Sequence, residues 1–192
     1  MRFEPVPGER ALLLEDGERT LVLADLHIGI EAEYREGGVT LPSQTPSLIE
    51  RVRSLVGSVG PDSIVLLGDV KNTIGGVARQ EVEEVPVFLK AVADMAPVHI
   101  IPGNHDGSLS RTVPGWGGYD RLIAIRPARG VVLDGVGLFH GHTYPSPEVA
   151  ACPVLVIGHQ HPAVAFRDDL GTLMTEACWV RAPLREDRFR ER

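Results

Sequence analysis

Five short apolar runs in this chain each break off into a polar residue of metal-binding type, and that repetition constrains the fold more than any other feature. Leu21-Val22-Leu23-Ala24 leads into Asp25-Leu26-His27, and Ile64 to Leu67 into Gly68-Asp69-Val70-Lys71-Asn72. Val98 to Ile101 leads into Pro102-Gly103-Asn104-His105-Asp106, Val136 to Phe139 into His140-Gly141-His142, and Val154 to Ile157 into Gly158-His159-Gln160-His161. Runs of four or five apolar residues bounded by turn formers read as buried strands. In open α/β sheets ligands collect beyond the carboxyl ends of strands, so these termini are expected to converge.

Further strands are expected at Ala11 to Leu14, Val131 to Leu133, Ala163 to Arg167 and Thr172 to Ala177, with Asp134-Gly135 turning a hairpin. Two helices fall between the early strands. Thr45 as N-cap and Pro46 at the first helical position open one, and Leu48, Ile49, Val52, Leu55 and Val56 keep helical spacing. The other runs from about Ala78 to Met95, with Pro86 expected to bend or divide it. Strand–helix alternation followed by hairpins predicts a layered α/β sandwich. At 192 residues, 43% of them hydrophobic, one domain over 1–192 is expected, its last residues Arg185 to Arg192 frayed.

The formal charge of -7 argues against a broad basic surface that wraps duplex DNA. It leaves open a nucleic-acid enzyme whose bound metal ions supply local positive charge. Cys152 and Cys178 are far apart and unclustered, which suits reduced, buried thiols and a cytoplasmic setting. No run approaches a membrane span, and the first residues lack the apolar stretch of a signal peptide.

Six of the seven histidines lie in the five polar clusters, with only His99 inside a strand. Core histidines would be scattered, so the concentration points to metal. Imidazole with carboxylate and amide oxygen suits Mn, Fe, Zn or Ni better than Mg or Ca. About nine donors exceed what one ion takes, whereas two ions bridged by a carboxylate would use them.

In that order, Asp25-x-His27, Gly68-Asp69, Gly103-Asn104-His105-Asp106, His140 and Gly158-His159-x-His161 resemble the calcineurin-like metallophosphoesterase superfamily. The resemblance implies a four-layer αββα sandwich with a two-metal site at the sheet edge. One ion would be held by Asp25, His27 and His161, the other by Asn104, His140 and His159, with Asp69 bridging. His105 would contact the phosphate and protonate or stabilise the leaving oxygen, Asp106 would orient it, and a metal-bridging hydroxide would attack. The segment Asp25 to Glu31 with Leu41-Pro42-Ser43-Gln44-Thr45 is further similar to small SbcD-related phosphoesterases and ligase-associated DNA-damage-response endonucleases. No capping domain is expected.

His142, Lys71, Asn72 and Arg111 are candidates for phosphate contact or for support of the ligands; Asn72 stands where many superfamily members carry an acid. Trp116, on a Gly-rich loop, is expected to pack under that loop. The expectation is therefore a phosphodiesterase using two Mn-like ions, with DNA as substrate. Small phosphodiesters or monoesters, and a non-catalytic binding module, are the alternatives. A DNA-repair partner and a homodimer are the expected associations.

Overall fold

The computed structural model describes residues 2–109 and 119–184. Contacts divide the chain into two compact units, Met1–His159 and Gln160–Arg192.

The first unit is built on a six-stranded sheet in sequence order: β1 (Arg2–Pro5), β2 (Ala11–Asp16), β3 (Glu18–Leu23), β4 (Ser63–Leu67), β5 (Val98–Ile101) and β6 (Ile123–Ile125). Neighbours are antiparallel from β1 to β3 and parallel from β3 to β6. Parallel pairing puts the carboxyl ends of β3, β4 and β5 on one edge, the geometry the sequence pattern requires.

Alternation sends successive residues to opposite faces, and both faces are apolar. Leu21, Leu23, Ile64, Leu66, Val98 and Ile100 face the helices α2 (Thr45–Val59) and α3 (Arg79–Ala93), packing on Val52, Leu55, Val85, Phe88, Leu89 and Val92. Val22, Val65, Leu67 and Ile101 face a second sheet. That sheet comprises β7 (Val131–Leu133), β8 (Val136–Phe139) and β9 (Val154–Ile157), with Val136 and Leu138 completing the core. Gly137 lies between those two residues and faces the other way, where a Cβ would meet the Val149 carbonyl at 2.7 Å. Val149 belongs to α4 (Pro147–Ala150), a single turn that forms the outer helical layer. The layers are thus α, β, β, α.

The second unit contains the antiparallel hairpin β10 (Ala163–Arg167) with β11 (Leu173–Ala177). The Asp168 carboxylate shapes its turn by accepting the N–H groups of Leu170 at 3.0 Å and Thr172 at 2.8 Å.

Several elements differ from the sequence expectation or add to it. α2 starts one residue early, with Gln44 as cap, because the Thr45 hydroxyl donates instead to Glu84 on α3. α3 passes through Pro86 undivided. Its buried face of Val85, Phe88, Leu89 and Val92 outweighs the roughly 3 kcal/mol that an interior proline costs. The short α1 (Ile30–Glu36) and edge strands β1 and β6 were not foreseen. Both cysteines are free and half-buried. Among the described residues no helix is long and apolar enough to cross a membrane. Arg111, Trp116 and the run Arg185 to Arg192 lie outside the described residues.

Candidate metal centre

Each donor of the first unit sits on the first residues after a strand, where the backbone leaves the sheet sharply. Among the described residues six non-glycine positions have positive φ, and Asp25 (55°), His27 (48°), Asp69 (50°), His159 (67°) and His161 (40°) are five of them. The sixth, Asp134, turns the β7–β8 hairpin. A left-handed residue with a Cβ costs on the order of 1–3 kcal/mol, and such strain concentrates where side chains must be aimed. His161 belongs to the second unit, so its share in the site rests on the sequence order.

The donors of the first unit converge. His27, Asp69 and His105 offer atoms within 4.8 Å of one another, and so do Asp69, His140 and His159. Asp69 is common to both groups. It is 2% exposed, and its Oδ1 accepts the His105 backbone N–H at 3.0 Å. Its Oδ2 lies 3.1 Å from His140 Nε2, 3.8 Å from His105 Nε2 and 4.0 Å from His27 Nε2. Burial works to raise the Asp69 carboxyl, but the His140 ring, the His105 amide and the charge of both histidines bring it down to about 2.

His140 is fully buried, and its Nδ1 donates to the Leu67 carbonyl at 2.9 Å. A carbonyl only accepts, so this bond leaves Nε2 as the metal-binding nitrogen. That Nε2 makes no hydrogen bond despite its 3.1 Å approach to Asp69. Burial lowers the readiness of the ring to protonate, yet Asp69, the Leu67 carbonyl and Asp25 outweigh it and raise its pKa above the ordinary histidine value. Asn104 Oδ1 is a second buried atom with no hydrogen-bond partner, an acceptor that a cation would satisfy. The donor set therefore fits divalent metal.

Two glycines make room for it. A Cβ on Gly68 would overlap the His140 ring, and one on Gly103 would overlap Asp69 Oδ1. Asp25 serves the backbone as well, its carboxylate accepting the His159 N–H at 3.1 Å.

The expected supporting residues fall differently. Asp106, expected to orient His105, is held by backbone amides instead: Gly103 N–H to Oδ2 at 2.9 Å and Val70 N–H to Oδ1 at 3.0 Å. It staples the loop after β4 to the loop after β5. The acceptor on the His105 ring is the Asn72 carbonyl, which takes Nδ1–H and leaves Nε2 facing Asp69. Lys71, expected near phosphate, is 1% exposed and its ammonium donates to the Thr73 carbonyl. His142 lies beside the second donor group, 5.4 Å from His140 and 6.4 Å from His159 between ring centroids, with Nδ1 buried and without a hydrogen bond. Burial and then the charge of His140 keep its pKa low. His99 stands in β5 away from these groups, and the Arg126 guanidinium meets its Nδ1 at 3.1 Å. Sequence reasoning missed Glu81, a fully buried carboxylate that accepts the N–H groups of Thr73 and Ala78. An acid three residues after a helix start was the available signal.

Fold and donors together define a class, a layered α/β phosphoesterase that depends on divalent metal. More particularly, the chain belongs to the calcineurin-like phosphoesterase family, whose profile matches residues 18–174. Among solved structures it is similar to the crystal structure of Pseudomonas putida nuclease MPE, with 24% sequence identity over 90% of this chain and 79% of that one. The TM-score is 0.51, which places the likeness at the level of the fold. No protein of curated function matches the chain.

Proposed function

We propose that the protein is a two-metal phosphodiesterase that cleaves DNA. The observation that carries the reading is the place of Asp69, a buried carboxylate common to two donor groups, as a bridging ligand would be. Asp25 and His27 would help to hold one ion, and Asn104, His140 and His159 the other. Histidine-rich donors favour Mn, with Fe, Zn or Ni as competitors. A pair of such ions supplies a water deprotonated at neutral pH and offsets charge on the phosphoryl oxygens.

The protein's own groups then have separate tasks. Asn72 holds the Nδ1–H of His105, so Nε2 is the atom that meets substrate. Protonated there, His105 hands its proton to the departing alkoxide, a contribution of about 10²–10⁴-fold where the leaving group is poor. Its Nε2 is also near enough to Asp69 to be a ligand, and metal content of His105→Ala separates the two roles.

The nuclease name of the structural neighbour supports DNA as substrate. The net charge of -7 favours a second reading, a small phosphodiester such as a cyclic nucleotide, or a monoester, or else a repair partner that supplies DNA affinity. Protein loaded with Mn²⁺ is to be offered an aryl phosphodiester, an aryl phosphomonoester, cyclic nucleotides, and single- and double-stranded DNA. Cleavage of DNA with metal dependence is expected; turnover of monoesters alone would overturn the proposal.

A further inference from the structure

The contact between His105 and a main-chain carbonyl poses a problem, because carbonyls in loops can rotate and a catalytic ring must not. The structure holds this one from both sides. Asn72 is 9% exposed, and its Nδ2 donates to Glu33 Oε2 on α1 at 2.9 Å. The next residue, Thr73, gives its N–H to Glu81 and accepts the Lys71 ammonium on its carbonyl. Glu81 and Lys71 are both buried, at 0% and 1% exposure. Both hydrogen bonds of the Thr73 backbone are therefore made to buried groups.

Of these ties only the one to Glu33 comes from an exposed residue. It can be removed without leaving a hole in the core or a charge buried alone, whereas the loss of Glu81 or Lys71 would do one or the other. It is also the tie made by the side chain of Asn72, whose own carbonyl must be steadied, and it adds to the bond that the Asn72 N–H gives to the Ile28 carbonyl at 3.1 Å.

We infer that Glu33 and Asn72 are positioning residues for His105: their side-chain bond fixes the Asn72 carbonyl, which selects the Nδ1–H tautomer and aims Nε2. This rests on His105 acting on the leaving group, as proposed above. The tautomer of a histidine is set by the bond its other nitrogen makes, so a loosened carbonyl shows directly in the ring.

The test uses Glu33→Ala and Glu33→Gln, with whichever phosphodiester the panel shows to be hydrolysed. A Gln at position 33 still offers an amide oxygen to Asn72 Nδ2. Glu33→Ala is expected to lower kcat about tenfold, the worth of one ordered hydrogen bond, with KM and metal content unchanged. Glu33→Gln is expected to keep the wild-type rate. In Zn²⁺-loaded protein with ¹⁵N-labelled histidine, His105 should give the Nδ1–H pattern in wild type and Glu33→Gln, and a mixture of tautomers in Glu33→Ala. An unaltered tautomer in Glu33→Ala overturns the inference whatever the activity. So does a Gln variant as slow as Ala, since that result assigns Glu33 a role through charge. A fully active His105→Ala would instead remove the reading of His105, while the tautomer comparison still decides the positioning claim.

Discussion

Replacing glycines one at a time should separate backbone strain from steric room at the metal centre. Gly68 has φ +82° and a Cβ there would overlap the His140 ring. Gly103 has no left-handed backbone, yet its Cβ would overlap Asp69 Oδ1. Gly8 has φ +76° with nothing within 4 Å, so it carries the strain alone. A left-handed Ala costs about 1–2 kcal/mol, and overpacking a dense site costs about 1–3 kcal/mol. Gly8→Ala should therefore lose about 1–2 kcal/mol, Gly103→Ala about 1–3 kcal/mol, and Gly68→Ala both penalties, about 2–5 kcal/mol. The gain from stiffening the unfolded chain is common to all three and cancels in the comparison. Urea unfolding of metal-free protein measures the losses, and elemental analysis after dialysis against Mn²⁺ measures what the site retains. Only the Gly68 and Gly103 variants should bind less metal. A Gly103→Ala protein as stable as wild type and fully loaded would refute the packing argument, because it would mean that Asp69 moves aside freely.

Asp69→Asn should lose metal and activity together, whereas His105→Ala should keep both ions and lose about 10²–10⁴-fold in rate, read by elemental analysis beside kcat. In metal-free protein the depressed Asp69 pKa contributes about 2 kcal/mol, present above the ordinary carboxylate pKa near 3.8 and lost as pH falls to about 2. Urea midpoints between pH 5 and 2 should fall more for wild type than for Asp69→Asn. His140 acts in the opposite sense: its pKa is raised, so its share is full below the ordinary histidine value and vanishes as pH rises through the raised one. Metal must displace that proton, and Mn²⁺ uptake followed by calorimetry should weaken as pH is lowered through the same range. Asp106→Ala strands the buried N–H groups of Gly103 and Val70 and should cost about 3 kcal/mol in thermal unfolding, with Asp106→Asn losing less.

The sandwich and the convergence of donors were legible because strands that end in Asp, Asn or His state both where the sheet stops and what gathers there. Apolar residues at every position of Ile64 to Leu67 marked a strand buried on both faces, which the two core clusters bear out. The partners of the donors were far less legible. Asp106 follows His105 directly, and adjacency suggested that it holds the ring; its carboxylate is instead taken by backbone amides, that of Gly103 in its own loop and that of Val70, 36 residues away in sequence. The true acceptor, the Asn72 carbonyl, belongs to a group every residue possesses, so residue identity carries no sign of it. Of the two outcomes expected at Pro86, a bend or a division, the division does not occur, since the local penalty is set against burial that only the tertiary fold reveals. β1 and β6 escaped notice because edge strands bury too little to show a pattern: Arg2–Pro5 holds no buried residue and Ile123–Ile125 only one.

The bond from His140 to the Leu67 carbonyl joins the end of β8 to the end of β4, and so one sheet to the other. The Asp25 carboxylate that accepts the His159 N–H ties the ends of β3 and β9 at the same rim. Hydrogen bonds gathered there work like the binding along the spine of a book, while the rest of the two leaves is held together by apolar packing. Slow amide exchange should therefore be centred on β4 and β8 beside the spine, with faster opening toward the turn at Asp134-Gly135. Evolution can then lengthen or trim the free margin without disturbing the residues gathered at the bound one.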